Sequence, residues 1–319
     1  MIGTLIGVVG KLFGLTVLGY LIFQIRVLRE RLLNPLLWVL INVLLPLYLI
    51  YRLATGWEEA LRFGWEWTLV FFFGCWIAIA VQSLIGAWIV YRTTLIPTEN
   101  PREVVALFGV HNAVFIPVPL LAVLAPEEIN VFFFFYFFAF ALMLWSYLVS
   151  LISGHETIRL KITPPLVAMV LGAIAVMLGW HNYVPQGVMD AVGVVSRTSM
   201  DLILIVLGGI LATVPKEDLA YKPEFGKLIV LRMVVYPAII LGLAWLVPAS
   251  VGPEFQWGLR ITLVIEAAVP PATNVILISK AFGTEKQVHY AGGAILSSYL
   301  AAVVTIPLFL SAAIFLFRG

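Results

Sequence analysis

Apolar residues run along this chain in blocks too long for a soluble core, separated by short polar links. Ten such blocks are present, at about 4–24, 34–54, 66–91, 103–124, 129–152, 164–181, 188–213, 228–248, 257–281 and 288–316. A helix needs about 20 mostly apolar residues to cross a bilayer, because each backbone amide must find its partner inside the helix once water is gone. The pattern predicts an all-α membrane protein with ten transmembrane helices. None of the links is long enough to hold a separate domain. The first block carries Lys11 and has no basic residues ahead of it, which predicts a retained helix, not a cleaved signal.

The fourth and ninth blocks share an interruption. The fourth reads FGVHNAVFIPVPLLAVL from Phe108 to Leu124, with Pro117 and Pro119 inside it, and the ninth reads TLVIEAAVPPATNVILISK from Thr262 to Lys280, with Pro270 and Pro271 inside it. Proline removes an amide donor and clashes with the carbonyl one turn back, so each pair is expected to break its helix near mid-membrane. Five spans per half with the fourth broken in each predicts two repeats, 1–160 and 161–319, and the odd number of crossings inverts the second against the first. Pro119 and Pro271 are the expected crossover prolines, about half the chain apart.

Composition sharpens this picture. Of the 319 residues, 62% are hydrophobic and 11% charged, against roughly 45–50% and 25% in soluble domains, so most of the surface must face something as apolar as the interior. The formal net charge of +2 and the lack of any basic run exclude a nucleic-acid partner. One cysteine, Cys75, and four scattered histidines offer neither a disulfide nor metal-ligand spacing, so no cofactor is expected. Lys and Arg set the direction of the spans, since cytoplasmic loops are enriched in them. Twelve fall in one set of loops, Arg159, Lys161 and Lys216 among them, against four (Arg52, Arg62, Arg260, Arg318) in the other. Both termini are therefore expected outside the cytoplasm of a plasma or inner membrane.

Only Asp201 and Glu266 among the acids fall deep within blocks, and an ionisable group there is a functional candidate by default. Glu266, one turn before Pro270, is placed to hold a cation or proton together with carbonyls freed by the break. Asp201 has Arg197 four residues before it, a spacing that suits a neutralising pair, while Lys11 near a span end is expected to snorkel. Gln82 is a lone amide in the third span, suited either to lining a cavity or to bridging helices. Asn112 and Asn274 flank the two breaks and offer the donors a buried carboxylate needs, helped by the positive ends of half-helices starting there; either would also serve as a helix cap. His111 adjoins Asn112. The aromatic run FFFFYFFAF, Phe132–Phe140, surrounds its helix on all sides and is expected to pack against lipid and neighbouring helices.

Four stretches carry a resemblance. PPLVAMVLGAIAVMLGWHNYVP (Pro164–Pro185), IEAAVPPATNVILISKAFG (Ile265–Gly283), LLPLYLI (Leu44–Ile50) and ILSSYLAAVVTIPL (Ile295–Leu308) are similar, in order and spacing, to helices of the auxin efflux carrier (PIN-like) family. The resemblance implies interleaved scaffold and transport parts, elevator-type alternating access, and efflux of a small organic anion such as a carboxylate. It also implies Asn112 and Asn274 as substrate contacts, with His111, Pro119 and Pro271 beside them, and is compatible with a homodimer. HNAVFIPVPL (His111–Leu120) departs from the small residues usual there, which sets the chain apart from carriers of an auxin-like ring. The bile acid and sodium symporter family shares the architecture, so Glu266, Gln82 and Asp201 stand as candidates for coupling to Na+ or H+.

Catalysis is not indicated, since the chain has no GxSxG and no HExxH. The classes left are a secondary or facilitated transporter, a sodium-coupled symporter of the bile acid type, and a membrane sensor that binds its ligand without moving it.

Overall fold

The computed structural model describes residues 2–93, 95–154, 164–214 and 222–318, and the regular elements among them are helical. In chain order they are α1 (Ile2–Gln24), α2 (residues 26–63), α3 (Glu66–Arg92), α4 (Pro101–Gly109), α5 (Pro117–Leu124) and α6 (Glu127–Ser153). There follow α7 (Pro164–Met177), α8 (Gln186–Leu211), α9 (Pro223–Leu246), α10 (Pro253–Ala268), α11 (Asn274–Phe282) and α12 (Glu285–Arg318). Arg159, Lys161 and Lys216, which enter the charge count, lie outside the described residues, as does the side chain of Arg197.

Six of these helices, α2, α3, α6, α8, α9 and α12, are long and apolar enough to cross a bilayer by themselves. The fourth, sixth and ninth expected spans are made of shorter helices for local reasons. The fourth and ninth are each divided into two half-helices, α4 with α5 and α10 with α11. The sixth ends early because Gly179 adopts a left-handed conformation (φ 73°) just past α7, which only glycine takes without strain.

The helices pack in two groups. One consists of α1, α2, α7 and α8; the other contains α3 to α6 and α9 to α12, and the long face of α6 lies against α2. Exposed Trp38, Leu84, Trp88, Leu171, Val304 and Phe315 give both groups an apolar outside, the surface a bilayer solvates. Within the first group α1 and α8 approach through glycines. A Cβ on Gly208 would stand 2.0 Å from the Thr16 carbonyl oxygen, and one on Gly19 would stand 2.0 Å from that of Ile205. Such small-residue contact is how helices associate where no hydrophobic driving force exists between them. Three helices contain π-helical turns: α2 at Arg29–Leu33 and Leu40–Leu44, α6 at Leu144–Leu148 and α9 at Val230–Val235. The Leu40–Leu44, Leu144–Leu148 and Val230–Val235 turns adjoin the region where α4, α5, α10 and α11 meet, the kind of place where such turns concentrate.

The glycine contact predicts a contrast. Gly208→Ala forces backbone apart and is expected to cost about 1–3 kcal/mol, whereas Gly14→Ala, with nothing within 4 Å of its added Cβ, is expected to be neutral or mildly stabilising. Unfolding temperatures of the two purified variants in detergent check this, and equal values would overturn the packing account.

Candidate functional site

The site is built on two interruptions that complete one another. Between α4 and α5, and between α10 and α11, the chain unwinds, and the two unwound segments pass antiparallel. The Asn112 amide donates to the Pro270 carbonyl and the Ala272 amide to the Val110 carbonyl, both at 2.9 Å, closing a bridge between His111 and Pro271. Backbone groups freed in the interior need partners there, because no water is present to take them. Each break supplies the other's partners.

Prolines act differently in the two breaks. Pro270 and Pro271 lie within the second one, where their missing amides leave nothing unpaired. Pro117 and Pro119 lie in the first turn of α5, where a proline is tolerated because first-turn amides have no intrahelical partner. The expectation that Pro119 sits at the crossing is therefore corrected: it stands past the unwound segment and lines a different cavity, with Lys11, Arg52 and Asp201.

Against the crossing lies a cavity of about 80 Å³, several times the roughly 10–15 Å³ one water requires. Asn112, Thr273 and Asn274 give it a polar wall; Ile41 and Leu45 of α2, Phe137 and Phe140 of α6, and Met169 of α7 give it an apolar one. The start of α11 borders it, so the positive end of that helix dipole faces the space. Asn112 is committed on both ends of its amide. Its Oδ1 accepts from Val114 (3.2 Å) and Phe115 (2.9 Å), which caps the entry into α5, and its Nδ2 donates to the Tyr299 hydroxyl. Asn274 makes no side-chain hydrogen bond among the described residues and is open to a ligand. Phe137 and Phe140 belong to the aromatic run, so that run packs on most sides and faces the cavity on one.

Successive side chains of an extended segment point opposite ways. With Asn112 at the cavity, His111 points elsewhere and does not line it. Its Nε2 lies 2.7 Å from Glu266 Oε2 and 2.8 Å from the Tyr136 hydroxyl, with both His111 and Glu266 buried. Arg232 of α9, fully buried, joins this cluster within Coulombic reach of Glu266 and Tyr136, its guanidinium 5.2 Å from the Tyr236 ring centre. Gln82, also buried, approaches Tyr236. The crossing thus has a cavity on one face and a charged cluster on the other.

Asp201 is elsewhere. It pairs with Lys11 at 2.6 Å, both side chains about half exposed (44% and 60%), so it is not a deeply buried acid, and Lys11 finds a partner on α8. Glu103, by contrast, is buried and bonded to Gln287. Sequence reasoning missed Arg232, Tyr136 and Tyr299. Signals in the sequence could have found two of them: Arg232 is a charge inside an apolar span, and Tyr136 is the one hydroxyl in a run of phenylalanines.

Comparison with protein families places residues 148–310, just over half of the chain, in the family described as membrane transport protein. The matched region contains Arg232, Glu266, Pro271, Asn274 and Tyr299. Curated proteins provide no match.

The two asparagines should separate in stability. Asn112→Ala removes a cap and the bond to Tyr299 and is expected to lose about 1–2 kcal/mol, while Asn274→Ala leaves the unfolding temperature unchanged. A thermal melt of each variant without ligand is the check; a lowered value for Asn274→Ala would mean that residue is already engaged in the fold.

Proposed function

The chain belongs to the membrane transport protein family, that of the auxin efflux carriers, and from that premise we propose that it exports a small organic anion, a carboxylate, by elevator-type alternating access. One observation carries the reading: a cavity with two amides and a helix N-terminus on one wall lies between the two groups of helices, α2 and α7 on one side and the crossing on the other. Amide donors and a positive dipole end suit a carboxylate. A ligand held by the crossing and sliding past α2 and α7 changes its side of the membrane without the crossing coming apart.

In this reading the chain crosses the bilayer ten times, with α4 and α5 making one crossing and α10 and α11 another, as two inverted repeats, and both termini lie outside the cytoplasm. Antiparallel passage sends α5 and α11 toward opposite faces. A cavity of about 500 Å³ flanks α5 and one of about 410 Å³ flanks α11, and these serve as the outer and inner vestibules. The outer one holds the Lys11–Asp201 pair and a bifurcated contact from Arg52 Nη1 to both carboxylate oxygens of Glu127, at 2.7 and 2.9 Å, that fastens α2 to α6. Asp201 thus shapes the vestibule, and coupling falls to Glu266, whose carboxylate between His111 and Tyr136 takes up a proton with Gln82 nearby.

Three measurements test the proposal. Purified protein in liposomes is offered labelled carboxylates, malonate and indole acetate among them, with proton, sodium or no gradient imposed; saturable flux of one acid is expected, and binding without flux under every gradient would instead make the protein a sensor. Asn274→Ala is expected to weaken affinity for the carried acid about tenfold. Glu266→Gln is expected to abolish any response of flux to a pH gradient, and an unchanged response would leave Glu266 a purely structural partner of His111.

A further inference from the structure

Arg232 is the largest fully buried side chain among the described residues. It lies in the π-helical turn of α9, and its guanidinium reaches both half-helices that run into the crossing. Nε donates to the Phe108 carbonyl at 3.2 Å and Nη1 to the Ala267 carbonyl at 2.6 Å, next to the last residues of α4 and α10. Such terminal carbonyls carry the negative end of the helix dipole, and in carriers with broken helices they are where a mobile cation is coordinated. Here one covalently attached cation spans the ends of both.

The charge balance points the same way. Glu266 is the acid beside Arg232; His111, Tyr136, Tyr236 and Gln82 complete the surround. One fixed positive charge already faces one carboxylate and two helix ends, and a sodium ion entering the cluster would meet the guanidinium. Among the described residues Nη2 of Arg232 and Oε1 of Glu266 have no hydrogen-bond partner, so the cluster keeps unused polar capacity that a smaller residue at position 232 would open to an ion. We propose that Arg232 is a resident cation that takes the place of a mobile coupling cation at the crossing, so that both half-helix ends stay neutralised through the whole cycle and no sodium is required. This rests on the transport reading above, but its first test does not require flux.

Radiolabelled sodium binding is measured on wild type, Arg232→Gln and Arg232→Lys, alongside melting in sodium chloride against choline chloride. Wild type and Arg232→Lys are expected to bind no sodium saturably and to melt alike in both salts. Arg232→Gln is expected to bind sodium and to gain stability from it, as any ligand of the folded state confers; a variant that folds only in sodium is the same result in a stronger form. In liposomes, carboxylate flux by Arg232→Gln should fall about tenfold or more in choline and recover in sodium, the loss of bonds from a charged donor setting that scale, while wild-type flux ignores the exchange. Saturable sodium binding by wild type, or by Arg232→Lys, overturns the proposal, as does a folded Arg232→Gln that gains none. Absence of flux for every acid would defeat the transport reading and leave the sodium-binding result to decide this one.

Discussion

A backbone amide or carbonyl in the membrane interior must be paired, because no water is there to accept it. Continuous helices meet that condition within themselves, and α2, α3, α6, α8, α9 and α12 do so at spanning length. Two chains of half-helices cannot, and they meet it jointly. The Asn112–Pro270 and Ala272–Val110 bonds pair what the helices release, the Asn112 side chain caps α5, and the Arg232 guanidinium takes carbonyls of α4 and α10. The cavity and the buried charges exist because the breaks do.

Charge follows from the same condition. A lone carboxylate or guanidinium at this depth is expensive, and removing one member of a buried pair leaves the other uncompensated. Arg232 and Glu266 stand near each other, and helix ends and ring faces supply the remainder of the solvation. The Lys11–Asp201 and Arg52–Glu127 pairs are partly exposed and so contribute little to stability.

The helical class, six helices of spanning length and both breaks were legible in the chain, since they follow from apolar length and from proline chemistry. The role of the prolines was only half legible. Steric rules mark both pairs as interruptions, but whether a proline lies in an unwound segment or starts the next helix depends on which amides find partners across the crossing, a tertiary matter: Pro271 does the first and Pro119 the second. His111 was read as a neighbour of Asn112 and therefore of the ligand, yet extended backbone sends the two to opposite faces. Asp201 looked buried by position within its span and is not, because α8 turns that face to the cavity with Lys11. In the sequence Arg232 is visible only as a charge inside an apolar span, and nothing in the pattern tells which carbonyls it would reach from a π-helical turn.

The bridge between His111 and Pro271 also bears on how the chain reaches its fold. Its two strands come from opposite halves, so a ribosome delivers the first break long before the second exists. Until α10 and α11 follow, the amide of Asn112 and the carbonyl of Val110 lack their native partners, and α4 and α5 have only their packing on α3, α6 and α1 to hold them. Contacts between distant parts of a chain form late, after the entropy of bringing them together has been met. Closure of the crossing thus joins the two halves of the chain through backbone pairing, and the first half alone cannot take that step.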